Sequence, residues 1–192
     1  WLDDAAGKMQ AAIDAALPGR TNSISAPSKR FVISSFSDRS PGRFYLFDSE
    51  ARRLEEIGPA RPWLEGRLAA VRPFRLKTRD GLEIPSYYVL PPNHKEGERL
   101  PTTVHIHGGP FARDVVSGGR FGVSFGVLEA QILASRGYAV VLPNFRITPE
   151  LGSSIYYAGF GTYGRQMLDD HEDAAAWAVS AGFADPKRMC IS

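Results

Sequence analysis

From residue 102 onward the sequence alternates apolar strands with helices, and few architectures accept that order. "TTVHIH" (102–107) and "YAVVLPN" (138–144) read as buried strands, and "DPKRMCIS" (185–192) as the start of a further strand. Between them, "SFGVLEAQILASRG" (124–137) and "RQMLDDHEDAAAWAVSAG" (165–182) read as helices, the first stopped by Gly137. Strands that are apolar along their length need cover on both faces, which parallel strands receive from crossover helices. Ahead of them, "VRPFRLKTRD" and "LEIPSYYVLPP" flank Asp80-Gly81, a pair that accepts the positive φ of a tight hairpin turn. The expectation is an α/β fold with a mixed, mostly parallel sheet that begins antiparallel. Such sheets hold their chemistry at the carboxyl ends of their strands.

The first sixty residues follow other periods. Met9, Ile13, Ala16 and Leu17 recur at helical spacing until Pro18-Gly19, which predicts an amphipathic helix over 3–16. "TNSISAPSKR" (21–30) reads as a polar connection. "FVISSFSD" (31–38), "RFYLFDSE" (43–50) and "RLEEIG" (53–58) read as short antiparallel strands, separated by Ser40-Pro41-Gly42 and by a charged turn at Glu50 to Arg52. Three such strands cannot bury both faces alone and suit one unit of a larger all-β structure, such as a propeller blade. "GPARPWLEGRLAAVRP" (58–73) reads as a linker, dividing the chain into 1–62 and 63–192. A net charge of +2, from 23 basic and 21 acidic residues, gives no electrostatic reason to expect nucleic acid or an anionic membrane as partner. Apolar runs stay short of the roughly 18 residues a membrane span needs. Cys190 is the single cysteine, and the chain opens on Trp1 rather than Met, as the interior of a larger protein would.

The strand 102–107 runs without pause into His107-Gly108-Gly109-Pro110. In a hydrolase built on an α/β sheet, the loop after the third strand supplies one backbone N–H to the oxyanion hole. Bare backbone at Gly108 and Gly109 suits that role, because the substrate oxygen must come within hydrogen-bonding distance. An ordinary tight strand-to-helix turn would use the same residues. Gly122-Val123-Ser124-Phe125-Gly126 spells a G-x-S-x-G string, but "ARDVVSGGRF" before it is a loop rather than a strand, so Ser124 is expected to cap the next helix. His105 and His107 share one side of the strand without an acidic or cysteine ligand at useful spacing, and no metal site is expected. His107 is expected to orient the glycine loop and His105 to lie in the core. "DDHED" (169–173) reads as a solvated helix face or cap, His171 beside Asp170 is no catalytic pair, and His94 sits in a polar loop. "NFRITPELGSSIYYAGFGTYG" (144–164) is a long loop whose aromatics could line a pocket, with Arg146 as an anion or carbonyl anchor, or could simply pack on themselves.

Taken together, "RDGLEIPSYYVLPP", "VHIHGGPF", "VVLPNFR", "GFGTYG", "MLDDHEDAAAWAV" and "DPKRMCIS" occur in the order found in the prolyl oligopeptidase family of serine peptidases. Over residues 30–192 the chain resembles that family, nearest its acylaminoacyl-peptidase and dipeptidyl-peptidase-like branch. The resemblance implies the last antiparallel strands of a β-propeller followed by the N-terminal half of an α/β-hydrolase domain. It implies Gly109 as the oxyanion donor, Gly108 as the residue shaping the turn, and Phe111 and Arg146 near the active-site mouth. It also implies a G-x-S-x-G-G elbow directly after "KRMCIS", so that the nucleophile, Asp and His of the triad fall beyond Ser192 and residues 1–192 alone are inactive. The implied substrate is a peptide, with no cofactor. The family often has Gly-Ser after the arginine, where this chain has Ile147-Thr148-Pro149. Two alternatives remain at this point: an esterase or lipase on the same fold, and a truncated, non-catalytic binding module. Blade-like strands favour the peptidase, because a propeller restricts access to peptides.

Overall fold

Helix α1 (Asp4–Ala16) begins where the Asp3 carboxylate accepts the Ala5 N–H at 2.8 Å, the usual way of satisfying an orphan donor at a helix start. The computed structural model describes residues 3–25, 28–116 and 124–192. These fall into two units, one ending at Leu68 and the other starting at Ala69. In the first, α1 lays Ile13 against Phe31, Ile33 and Tyr45 of a four-stranded antiparallel sheet. Its strands, β1 (Thr21–Ile24), β2 (Arg30–Ser37), β3 (Ser40–Asp48) and β4 (Arg53–Pro59), lie in sequence order. Strand β1 departs from the expected polar connection: Thr21 to Ile24 pair with Phe36 to Ile33. Its polar sequence hides it, because Asn22 is buried through side-chain bonds to Asp14 and Leu17 rather than through hydrophobicity. The segment expected as a linker is partly ordered, since β4 runs to Pro59 and a short 3-10 turn spans Pro62–Leu64.

The second unit contains β5 (Val71–Lys77), β6 (Glu83–Val89), β7 (Leu100–Val104), β8 (Ala139–Leu142) and β9 (Ala184–Ile191). Their order across the sheet is β5-β6-β8-β7-β9. The pairs β5–β6 and β6–β8 are antiparallel, while β8–β7 and β7–β9 are parallel. The hairpin at Asp80-Gly81 forms as expected, with Gly81 at φ +91° and its N–H donating to Thr78.

Strand β8 shows why its run is uninterrupted. Val140 and Leu142 face helix α2 (Phe125–Ala134) through Val127, Ala130 and Ala134. Ala139 and Val141 face helix α4 (Gln166–Ser180) through Ala174 and Ala178. Successive side chains of a strand point to opposite faces, so a helix on each side demands apolar residues throughout. Phe74 of β5 stacks on Trp177 of α4 at 3.5 Å between ring centroids, and Tyr88 and Phe183 extend that aromatic layer. A short helix, α3 (Ser153–Tyr157), interrupts the segment expected as a continuous loop.

Candidate active site

Strand β7 lies between β8 and β9, and its pairing continues past its last assigned residue. The His105 N–H donates to Val141 at 2.8 Å and the Ile106 N–H to Ser192 at 2.9 Å. The chain therefore leaves the middle of the sheet at a fixed point before it turns at the glycines. Gly109 has φ +120°, and a Cβ there would stand 2.8 Å from the backbone nitrogens of Phe111 and Ala112. Both conditions require glycine. Gly108 lacks a positive φ, and a Cβ on it would meet nothing within 4 Å, so the turn's demand falls on Gly109. Both residues are exposed, and neither N–H has an acceptor among the described residues.

The two histidines go to different partners. His107 contacts the Gly108 carbonyl through Nδ1 at 3.3 Å and the Thr148 hydroxyl through Nε2 at 3.1 Å, and stacks on Phe145 at 4.5 Å. Burial pushes its pKa below the ordinary histidine value, with the Gly108 carbonyl and the Asp114 charge opposing, so the ring is neutral at pH 7. His171 of α4 packs edge-on against the same Phe145 at 4.7 Å, and burial pushes its pKa down to about 4. His105 is buried with Nδ1 3.2 Å from the Ser192 hydroxyl and 3.4 Å from Glu129. Serine, histidine and carboxylate suggest a triad, but both contacts fall on the same nitrogen. A relay needs the base on one ring nitrogen and its orienting acid on the other. Ser124 is likewise occupied: its hydroxyl donates to Asp114 at 2.7 Å and accepts the Val127 N–H as the cap of α2. Gly122 and Val123 of the G-x-S-x-G string lie outside the described residues.

Arg146 departs from the expected substrate anchor. Its side chain is 5% exposed, with Nε and Nη2 on Asp170 at 2.9 and 2.7 Å, and Nη1 and Nη2 on Asp80 at 2.8 and 3.0 Å. A guanidinium has five N–H donors, and these contacts occupy four of them. Asp170 is fully buried; burial pushes its carboxyl up, and hydrogen bonds from the Arg146 side chain and backbone oppose that push. Hydrogen bonds from Arg146 and Thr78 hold the Asp80 carboxyl well below the usual carboxylate range. The remaining acids of "DDHED" also have partners: Asp169, Glu172 and Asp173 all meet Arg79. The expected solvated face is thus a brace that ties the β5–β6 turn to α4. Asp170 in particular belongs to the interior.

Phe111 is 52% exposed, two residues after Gly109, with its ring 6.1 Å from Tyr156 at α3. Tyr156 also meets Tyr157 and Phe160 at 5.4 and 5.5 Å, so the aromatics of this segment do pack on one another. Two residues that sequence reading missed complete the region. Asn144, just past β8, binds the backbone of Asp114 through both atoms of its amide, and both residues are 1% exposed. Thirty positions separate them, and neither type signals burial.

Residues 123–192 match the prolyl oligopeptidase family. Dipeptidyl aminopeptidase BIII of Pseudoxanthomonas mexicana is 32% identical over 177 residues, an alignment covering 88% of this chain and 24% of that protein. Dipeptidyl peptidase family member 6 of Caenorhabditis elegans is 30% identical over 190 residues, covering 88% of this chain and 25% of that protein. The solved structure of a puromycin-hydrolyzing peptidase of Mycobacterium tuberculosis is similar with a TM-score of 0.67 at 26% identity, over 88% of this chain and 25% of that one. The chain spans about a quarter of the length of these relatives. The match to the prolyl oligopeptidase family takes in α2, β8, α3, α4 and β9, and the similarity to these relatives extends over most of the remaining residues.

Proposed function

We propose that these residues are part of a serine-type peptidase that hydrolyses peptides through an acyl-enzyme, and that Gly109 supplies a backbone donor to its oxyanion hole. In this reading residues 1–62 end a β-propeller and residues 63–192 begin the α/β-hydrolase domain. The observation that carries it is the pairing of two strand ends. Ser192 N–H donates to Val104 and Ile106 N–H to Ser192, so β9 ends level with the strand that leads into the two glycines, whose N–H groups have no acceptor among the described residues. A nucleophile elbow following β9 would rise beside those donors, as serine hydrolysis requires.

The chemistry follows from that placement. A serine after β9 attacks the scissile carbonyl while a histidine takes its proton, and negative charge gathers on the carbonyl oxygen. Donors fixed in advance stabilise that charge without reorganising, and losing one costs about 3 to 4 kcal/mol of barrier. Gly108, with open space above it, leaves room for the substrate. Phe111 and the aromatics near α3 offer apolar surface beside the donor. Arg146 acts through its brace rather than on substrate. The similarity to a dipeptidyl aminopeptidase and to a puromycin-hydrolyzing peptidase supports a peptide substrate. The test is a comparison of kcat/KM for aminoacyl nitroanilides and short acyl esters with the full-length protein. Preference for the nitroanilides is expected; a clear ester preference would overturn the peptidase reading.

A further inference from the structure

The glycine turn is held at both ends by one strand and its continuation. At the start, the His105 N–H donates to Val141 of β8 at 2.8 Å. At the far end, the Asn144 amide grips Asp114: Oδ1 accepts the Asp114 N–H at 2.8 Å and Nδ2 donates to the Asp114 carbonyl at 3.1 Å. A planar side-chain amide presents one acceptor and one donor, as a peptide group does, so Asn144 acts as a rung where no strand is present. The Asp114 carboxylate then accepts the Ser124 hydroxyl, joining this end of the turn to the cap of α2. Its other oxygen is buried without a partner among the described residues.

We infer that Asn144 is a positioning residue that fixes the height and direction of the Gly109 N–H by clamping the Asp114 backbone; the inference rests on the peptidase reading above. The clamp needs a side chain that both accepts and donates, as the Asn144 amide does. Alanine leaves a buried donor and a buried acceptor at Asp114 unpaired. An ionised aspartate keeps the acceptor, loses the donor, and sets a second negative charge near the Asp114 carboxylate.

The test uses the full-length protein with Asn144→Asp and Asn144→Ala, and two readouts. Amide hydrogen exchange over residues 107–116 is expected to quicken in both variants. With an aminoacyl nitroanilide, kcat is expected to fall on the order of 10²-fold, the usual effect of a displacement of about 1 Å near the chemistry. KM should move little, because the oxyanion exists only after the ground state. The ratio of Asn144→Asp to wild-type kcat should rise as pH falls through the range of the introduced carboxyl, since its protonated form regains a donor. The Asn144→Ala ratio should stay flat, and a merely structural loss would give neither that contrast nor a kcat effect confined to properly folded enzyme. Unchanged exchange, a change in KM alone, or parallel pH profiles would overturn the inference. If the wild type hydrolyses neither nitroanilides nor esters, the peptidase reading fails, and the exchange result alone decides whether Asn144 holds the turn.

Discussion

Gly109 meets two separate demands, a φ of +120° and the close approach of two backbone nitrogens, whereas Gly108 meets neither. Gly109→Ala is therefore expected to lower kcat about 10²-fold or more through the displaced donor, with a parallel loss of stability. Gly108→Ala is expected to leave the unfolding midpoint unchanged, and kinetics with urea melts on both variants check the contrast. His171 makes a pH prediction. Its folded pKa, about 4, lies below the ordinary histidine value, so the unfolded chain binds the extra proton between them. Stability from this group is present above the unfolded value of about 6.5 and is lost as pH falls toward 4. Burial lowers His107 in the same direction, so both rings around Phe145 contribute. Urea midpoints from pH 7 to pH 5 should fall less steeply in His171→Phe than in wild type; equal slopes would refute this assignment. At this scale the sequence exposes Gly109, because a proline-closed glycine pair after a buried strand has few uses. It conceals Asn144 and Asp114, whose burial depends on each other across thirty positions.

Among the elements, α4 repays comparison with its sequence. "DDHED" reads as surface because four of its five residues are acids, and in a helix three of those acids do share one side, where they meet Arg79. The fourth turns inward because Arg146 waits there, a partner supplied by the segment after β8. Helix period alone separates the two sets; only the fold says which set faces the interior. The two halves of the brace should respond differently. Asp170→Asn leaves the Arg146 charge buried with one carboxylate lost and is expected to cost about 3 to 5 kcal/mol. Arg79→Ala removes ion pairs whose guanidinium is 49% exposed, and its smaller effect should weaken in about 1 M salt. Denaturant melts at low and high salt distinguish these outcomes. Strand β1 and helix α3 escaped the sequence for related reasons. "TNSI" has one apolar residue and no alternation, and α3 is too short to set up a period.

For the whole molecule, the alternation after residue 102 reveals strand–helix–strand–helix–strand, and the Asp80-Gly81 turn reveals the antiparallel start. The order β5-β6-β8-β7-β9 is not legible in the same way. Inserting β8 between β6 and β7 is a matter of which faces two helices cover, decided by packing among residues far apart in the chain. That insertion places β7 and β9 side by side and brings their carboxyl ends level at Ile106 and Ser192. The proposed nucleophile follows β9 and works against the Gly109 donor. The most direct measurement is to treat the full-length protein with a fluorophosphonate, digest it, and locate the adduct by mass spectrometry. One adduct is expected, on a glycine-flanked serine within the first few residues after Ser192. An unreacted protein, or an adduct on Ser124 or on Ser192 itself, would contradict it.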